Sequence, residues 1–225
     1  MTQRAALGFK LHTGWAVLVA TAGDPEKIQV ILRRRVELLP LNCSTPRFVY
    51  HAASEMPLTR ATELVERGTK ASLEAASLAV KGAVEELSSR GVRVEVCGIL
   101  SGSAVVPDDL TAILRSHPMI HSAEGVLFQN AIISACEGSG MRVILSRERE
   151  VWARAAASWQ MTESGLRKKV DGLRKSLGPP WSADHKSATA IALLALKSTK
   201  GAKTGAGSFT AISSAAARVV PRSLA

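Results

Sequence analysis

The alternation of apolar and polar positions predicts that the chain opens with three strands. Apolar residues dominate positions 4–11 and 15–21, and His12-Thr13-Gly14 between them is typical of a hairpin turn. Residues 28–38 alternate with a period of two, as expected for a strand with one exposed face. The run Arg33-Arg34-Arg35 within this strand favours the edge of a sheet, where charge opposes aggregation between edges.

The rest of the chain alternates between predicted helices and two further strands. The near-continuous apolar run at residues 92–100 is typical of a parallel strand that is buried on both faces. A fifth strand is predicted at residues 142–146, and helices at residues 57–90, 107–115, 118–137, 148–159, 163–177 and 184–197. This order predicts an α/β fold with a mixed five-stranded sheet, strand order 3-2-1-4-5, an antiparallel second strand and helices on both faces.

Chain length and composition predict one core domain with an appendage. The 225 residues are 46% apolar, which allows a substantial core. We expect the core at residues 1–160, a helical extension packed on it at residues 161–197, and a disordered basic tail at residues 198–225, where small and polar residues dominate.

The cysteines and the hydropathy pattern favour a cytoplasmic protein without a membrane partner. Cys43, Cys97 and Cys136 are odd in number and form no Cys-x-x-Cys pair, so we expect buried thiols rather than disulfides or a thiolate zinc site. The sequence has neither an evident signal peptide nor an apolar run of the roughly 20 residues that a membrane span needs.

Positive charge is concentrated at the C-terminal end of the chain. The net charge is +10, and 11 of the 29 Lys and Arg residues but only two of the 19 Asp and Glu residues follow residue 164. Such asymmetry favours DNA or RNA as a partner, although it also fits a solvated tail. The candidate nucleic-acid-binding residues form the densest basic cluster, on a helix whose other face is apolar: Arg167, Lys168, Lys169, Arg174 and Lys175.

Two histidines and a glutamate share one stripe of the helix predicted at residues 118–137 and its preceding cap. His117, His121 and Glu124 are spaced i, i+4 and i+7, a ligand set that can hold one divalent metal ion. A structural alternative is a helix cap in which His121 pairs with Glu124. His12 and His51 are further candidates for the same cluster.

Two segments resemble RuvC-type Holliday-junction resolvases of the ribonuclease H-like superfamily. Residues 7–16 (LGFKLHTGWA) are similar to the first hairpin of that family, and residues 183–192 (ADHKSATAIA) to its late Ala-rich helix. The resemblance implies a ribonuclease H-like fold and a surface for nucleic acid. It also implies a centre of clustered carboxylates, which in that family holds two divalent metal ions.

Most of those carboxylates are replaced in this chain. Lys10 stands at the position of the first aspartate, residues 97–100 (CGIL) offer no carboxylate, and only Asp184 remains of the late pair, since Ser187 replaces its partner. The resemblance therefore implies a nucleic-acid-binding protein that is degenerate as a two-metal nuclease. The alternative is a metal-dependent enzyme with a rebuilt histidine and glutamate centre, and a scaffold protein is a third possibility. The candidate catalytic residues are His12, Glu124 and Asp184.

Overall fold

A computed structural model describes residues 2–39, 44–102 and 105–200, with the backbone alone for the last two. Its five strands are β1 (Gln3–His12), β2 (Trp15–Ala22), β3 (Gln29–Glu37), β4 (Val92–Ser101) and β5 (Arg142–Arg147). They form one mixed sheet in the order β3-β2-β1-β4-β5. β2 is antiparallel to both of its neighbours, whereas β1, β4 and β5 are parallel. The predicted sheet order and the antiparallel second strand are confirmed.

Helices cover both faces of the sheet. They are α1 (Val49–Ser54), α2 (Leu58–Ser89), α3 (Leu110–Leu114), α4 (His117–Gly138), α5 (Glu148–Ser158), α6 (Glu163–Gly172), α7 (Arg174–Leu177) and α8 (Ala183–Lys200). α1 was not predicted; it packs on α2 where Gly68 leaves room for Val49. The helix predicted at residues 163–177 is interrupted at Leu173, and α8 continues three residues into the predicted tail. Residues 201–225 lie outside the described part.

The two faces of the sheet are packed differently. On the α2 and α4 face, the sheet contributes large side chains such as Leu7, Phe9 and Ile99, which meet Leu87 and Phe128. On the α8 face, Ala6 of β1 packs in one cluster with Ala192 and Ala195 of α8. A Cβ atom at Gly8 would lie 2.0 Å from the backbone oxygen of Ala188. A Cβ atom at Gly98 would lie 2.5 Å from the oxygen of Ile191. These glycines let the backbone of α8 approach the two central strands directly.

The cysteines are consistent with the sequence prediction wherever they are described. Cys97 and Cys136 are buried and unbridged, and Cys43 lies outside the described residues. A hydrogen bond with Cys136 and burial raise the pKa of the Cys97 thiol well above its ordinary value. Among the described helices, none is both long and apolar enough to cross a membrane.

Candidate nucleic-acid and metal-binding sites

The end of β1 places Lys10 and His12 on the α8 face of the sheet. Side chains alternate along a strand, and Ala6 and Gly8 both face α8. Lys10 and His12 therefore project from the same face at the carboxyl edge of the parallel strands. This edge is where α/β sheets commonly bind their ligands.

Lys10 pairs with a carboxylate that the sequence analysis did not single out. Its Nζ atom lies 2.5 Å from Oε2 of Glu148, the first residue of α5. The Lys10 side chain is 17% exposed, whereas that of Glu148 is 55% exposed. Glu148 directly follows β5, a parallel strand that ends at the same edge of the sheet as β1. The predicted sheet topology could therefore have placed Glu148 near Lys10. The ammonium group of Lys10 thus has its own counter-ion within the protein.

His12 and Asp184, two of the three candidate catalytic residues, lie together. His12 Nε2 is 3.0 Å from Oδ2 of Asp184, in the first turn of α8. The imidazole also stacks on Trp15, with ring centroids 4.0 Å apart and planes inclined by 8°. Ser187, one turn further along α8, is buried. Asp184 is therefore held by a histidine rather than placed in a carboxylate cluster.

A pocket of about 290 Å³ lies beside this pair, between β3 and the start of α8. Arg33 and Arg35 line it, but both guanidinium groups already have partners within the protein. Arg33 donates hydrogen bonds to the carbonyls of Leu177 (2.5 Å), Gly178 (3.0 Å) and Pro180. Arg35 pairs with Glu37 and lies 3.9 Å over the Trp15 ring. The strand order confirms the predicted edge position of β3. The three carbonyl contacts of Arg33 leave this residue little capacity for an external anion.

His185, at the rim of the same pocket, is part of a helix cap. Its Nδ1 accepts a hydrogen bond from the backbone N–H of Ser182 at 3.3 Å and lies 2.8 Å from the Ser182 hydroxyl. Burial, followed by the positive charge of Arg33, lowers the pKa of His185. The short contact between Ser182 and His185 therefore caps α8 and does not by itself indicate a nucleophile with its base.

The basic residues of α6 and α7 fall into two groups. Arg167 pairs with Glu163 at 2.8 Å and lies 4.3 Å over the ring of Trp152, while Lys169 pairs with Glu26 at 3.0 Å. On α6 and α7, the basic side chains of Lys168, Arg174 and Lys175 are exposed and make no ion pair with another described residue. Leu166 and Val170 are buried, as the helical pattern predicts.

Three histidines converge on the opposite face of the sheet. One ligand atom from each of His51, His117 and His121 lies within 4.8 Å of the other two. The Nε2 atoms of His117 and His121 are 3.0 Å apart. His51 comes from α1, and the other two from the first two turns of α4. Within the described part of the chain, this is the one cluster of three or more potential metal ligands.

Glu124 lies beneath this cluster rather than within it. The residue is only 3% exposed, and its Oε1 accepts hydrogen bonds from the backbone N–H groups of Tyr50 (2.8 Å) and His51 (3.2 Å). The same oxygen is 3.2 Å from Nδ1 of His51. Burial, followed by the charge of Glu124, raises the pKa of Tyr50.

Two expectations about this histidine cluster need correction. Glu124 contacts His51 instead of joining His117 and His121, because α1 covers this part of α4. The predicted pair between His121 and Glu124 is replaced by the contact between Glu124 and His51. The structure also does not bring His12 to the cluster, since the alternation along β1 directs it to the α8 face.

Comparison with solved structures identifies the fold. RuvC of Thermus thermophilus, solved in complex with a Holliday junction substrate, superposes with a TM-score of 0.51 at 15% identity. The match covers 88% of this chain and 95% of that protein. A second Thermus thermophilus RuvC structure matches at 14% identity and a TM-score of 0.49, covering 87% and 95% of the two chains. No protein-family profile and no curated protein sequence matches. The chain has a ribonuclease H-like fold resembling that of RuvC.

Proposed function

We propose that this protein binds nucleic acid and descends from a resolvase-like nuclease whose two-metal centre has been lost. The observation that carries the proposal is the pair of Lys10 and Glu148 at the end of β1. An ammonium at this position repels a divalent cation and attracts a phosphate. At this position the ammonium group also pairs with Glu148, and Asp184 pairs with His12, so neither nearby carboxylate is unpaired in the way that two-metal cleavage requires.

The neighbouring pair of His12 and Asp184 supports the same proposal. Asp184 is the single retained carboxylate, and its Oδ2 atom already pairs with an imidazole. The other nearby acid, Glu148, is paired with Lys10. A metal ion at this edge would compete with His12 and Lys10 for these two carboxylates. Under this proposal, His12 and Asp184 act in binding, and their catalytic assignment belongs to the alternative discussed below.

Cleavage assays test the loss of the metal centre. We expect no cleavage of a four-way DNA junction with Mg²⁺ or Mn²⁺, and the same result for Asp184→Ala. The reverse variant, Lys10→Asp, removes the cation and restores a carboxylate at the end of β1. Metal-dependent cleavage by the unmodified protein that Asp184→Ala abolishes would refute the proposed degeneracy.

The free cations of α6 and α7 supply the proposed nucleic-acid surface. Of the five basic residues predicted there, Lys168, Arg174 and Lys175 have no ion-pair partner among the described residues, so they are available to phosphates without breaking internal contacts. Arg167 and Lys169 must first give up Glu163 and Glu26. Contacts to phosphates confer affinity with little dependence on base sequence.

Salt dependence provides a quantitative test of this surface. Fluorescence anisotropy with labelled duplex or junction DNA should show log affinity falling by about 0.9 per phosphate contact for each log unit of salt. The triple variant Lys168→Glu, Arg174→Glu, Lys175→Glu should bind more weakly and lower this slope by up to about 2.7. A matched control reverses three exposed cations on α2: Arg60, Arg67 and Lys70. Equal losses in both variants would show that net charge alone governs binding.

The histidine cluster favours a second candidate function, a metal-dependent enzyme using one divalent metal ion. The convergence of His51, His117 and His121 is the supporting observation. Glu124 would then orient His51, whereas His12 and Asp184 lie on the other face of the sheet. Zinc-dependent hydrolysis of an activated phosphodiester, lost in His121→Ala and retained in Asp184→Ala, would favour this function over nucleic-acid binding alone.

A further inference from the structure

We propose that His51, His117 and His121 bind one Zn²⁺ ion, with Glu124 positioning His51 and a fourth coordination position open to solvent. The proposal uses the histidines of the second candidate function but requires no catalysis. It is also independent of nucleic-acid binding, because the cluster and the Lys10 pair lie on opposite faces of the sheet.

The arrangement of the ring nitrogens supports a shared ligand. The two Nε2 atoms of His117 and His121 face each other at 3.0 Å, and the candidate atom of His51 lies within 4.8 Å of both. In tetrahedral coordination with Zn–N bonds of about 2.0–2.1 Å, two nitrogen ligands lie about 3.4 Å apart. The pair on α4 is therefore close to the required spacing, and the His51 ligand atom, within 4.8 Å of both, would have to move closer to bind the same ion.

Glu124 provides the carboxylate that commonly accepts a hydrogen bond from the second ring nitrogen of a metal-binding histidine. Its contact with Nδ1 of His51 favours the tautomer in which that nitrogen carries the proton. The Nε2 atom of His51 is then free to bind a metal, in the manner of a carboxylate–histidine–zinc arrangement. The same carboxylate accepts two backbone N–H groups at the start of α1, so the position of His51 is fixed through both its backbone and its ring.

The burial of Glu124 provides an independent observation. Its Oε2 atom is buried and has no hydrogen-bond partner among the described residues, so part of the cost of burying the carboxylate is not offset by hydrogen bonds there. A cation on the far side of the His51 ring would polarise the ring N–H and strengthen its interaction with Glu124. Zinc binding would thus stabilise a buried charge as well as link α1 to α4.

The ligand set and its exposure identify the class of ion. Three imidazoles suit Zn²⁺ and similar transition metals, whereas Mg²⁺ and Ca²⁺ prefer oxygen ligands. His117 and His121 are exposed and His51 is half-buried, which leaves access for water or another ligand. Three protein ligands with one open position are typical of zinc sites that are not closed structural sites.

Zinc titration of the full-length protein without a histidine tag tests the proposal. After treatment with a chelator and its removal, calorimetry should show one Zn²⁺ per chain. Co²⁺ should give the visible absorption bands of a four-coordinate site, and Zn²⁺ should remove them. At about 100 times the dissociation constant, Zn²⁺ should raise Tm on the order of 5–10 °C.

Variants assign the binding to these residues. His121→Ala and His117→Ala, at exposed positions, should weaken zinc binding at least tenfold. Glu124→Gln, which keeps a hydrogen-bond acceptor but removes the charge, should weaken it by about 10- to 100-fold. His185→Ala removes a histidine outside the cluster and should leave the affinity unchanged. Retention of full affinity by the double variant His117→Ala, His121→Ala would overturn the proposal, as would absence of binding by the unmodified protein.

Discussion

Helices pack on the two faces of the sheet in different ways. On the α2 and α4 face, large side chains such as Phe9 and Phe128 fill the space between helix and sheet. On the α8 face, Gly8 and Gly98 remove side chains, and the helix backbone lies against the strands. The distance between layers is thus set by side-chain volume on one face and by backbone contact on the other.

This difference affects how precisely each face positions its polar residues. Two backbone contacts fix where α8 lies along β1 and β4, and thereby place Asp184 beside His12. On the other face, the histidine cluster depends on the short helix α1, whose position is supported by Glu124 and by the contact of Val49 at Gly68. We therefore expect different substitutions to damage the two faces.

The largest expected effect is the loss of a large side chain from the α2 and α4 face. Phe128 is 1% exposed, so Phe128→Ala should leave a cavity and lower the free energy of unfolding by about 3–5 kcal/mol. Phe48→Ala provides a matched control, since Phe48 is 51% exposed and its truncation should cost far less. Denaturation by urea measures both changes. Similar losses in the two variants would contradict the proposed role of side-chain volume on this face.

A smaller but substantial loss is expected when a side chain is added to the α8 face. The Cβ atom of Gly8→Ala would meet a backbone oxygen of α8 at 2.0 Å, so the helix must move away. Overpacking of this kind costs about 1–3 kcal/mol, and occasionally more. Gly82→Ala in α2 is the control, because a Cβ atom there meets nothing within 4 Å and alanine favours a helix.

Gly8→Ala and Gly82→Ala should not change the free energy of unfolding in the same direction. Gly82→Ala should be neutral or stabilising by up to about 1 kcal/mol, the difference in helix propensity between the two residues. If Gly8→Ala were equally tolerated, the approach of α8 to β1 would not depend on the absence of a side chain. Urea denaturation at constant pH distinguishes the outcomes.

The sequence predicted the sheet better than it predicted the sites. Strand order followed from the alternation of strands and helices and from the handedness of parallel connections, which are properties of the whole chain. The contact between Lys10 and Glu148 joins residues 138 positions apart and has no local pattern. Glu124 and His117 share one stripe of α4 in the sequence pattern. Helical periodicity alone does not reveal that α1 covers Glu124 and leaves His117 exposed. The resemblance of residues 183–192 to the late Ala-rich helix of RuvC-type resolvases was informative. The small residues of this segment lie where α8 packs closely against Gly8 and Gly98 of the sheet.

The smallest expected effect is a pH dependence of stability at the start of α8. Burial and the charge of Arg33 lower the pKa of His185 in the folded protein, whereas in the unfolded chain it is about 6.5. Between the two pKa values the unfolded state binds more protons, so this residue's contribution to stability falls as the pH falls below about 6.5. Protonation also removes the lone pair of Nδ1 that accepts the N–H of Ser182.

His185→Asn keeps an acceptor that does not titrate, so its Tm should fall less than that of the unmodified protein between pH 7.5 and 5.5. We expect a difference on the order of 1 °C, because solvent screens a partly exposed group. The other histidines are the same in both proteins, so the difference between the two Tm profiles isolates His185. Identical profiles would show that its neutral form contributes nothing to the α8 cap.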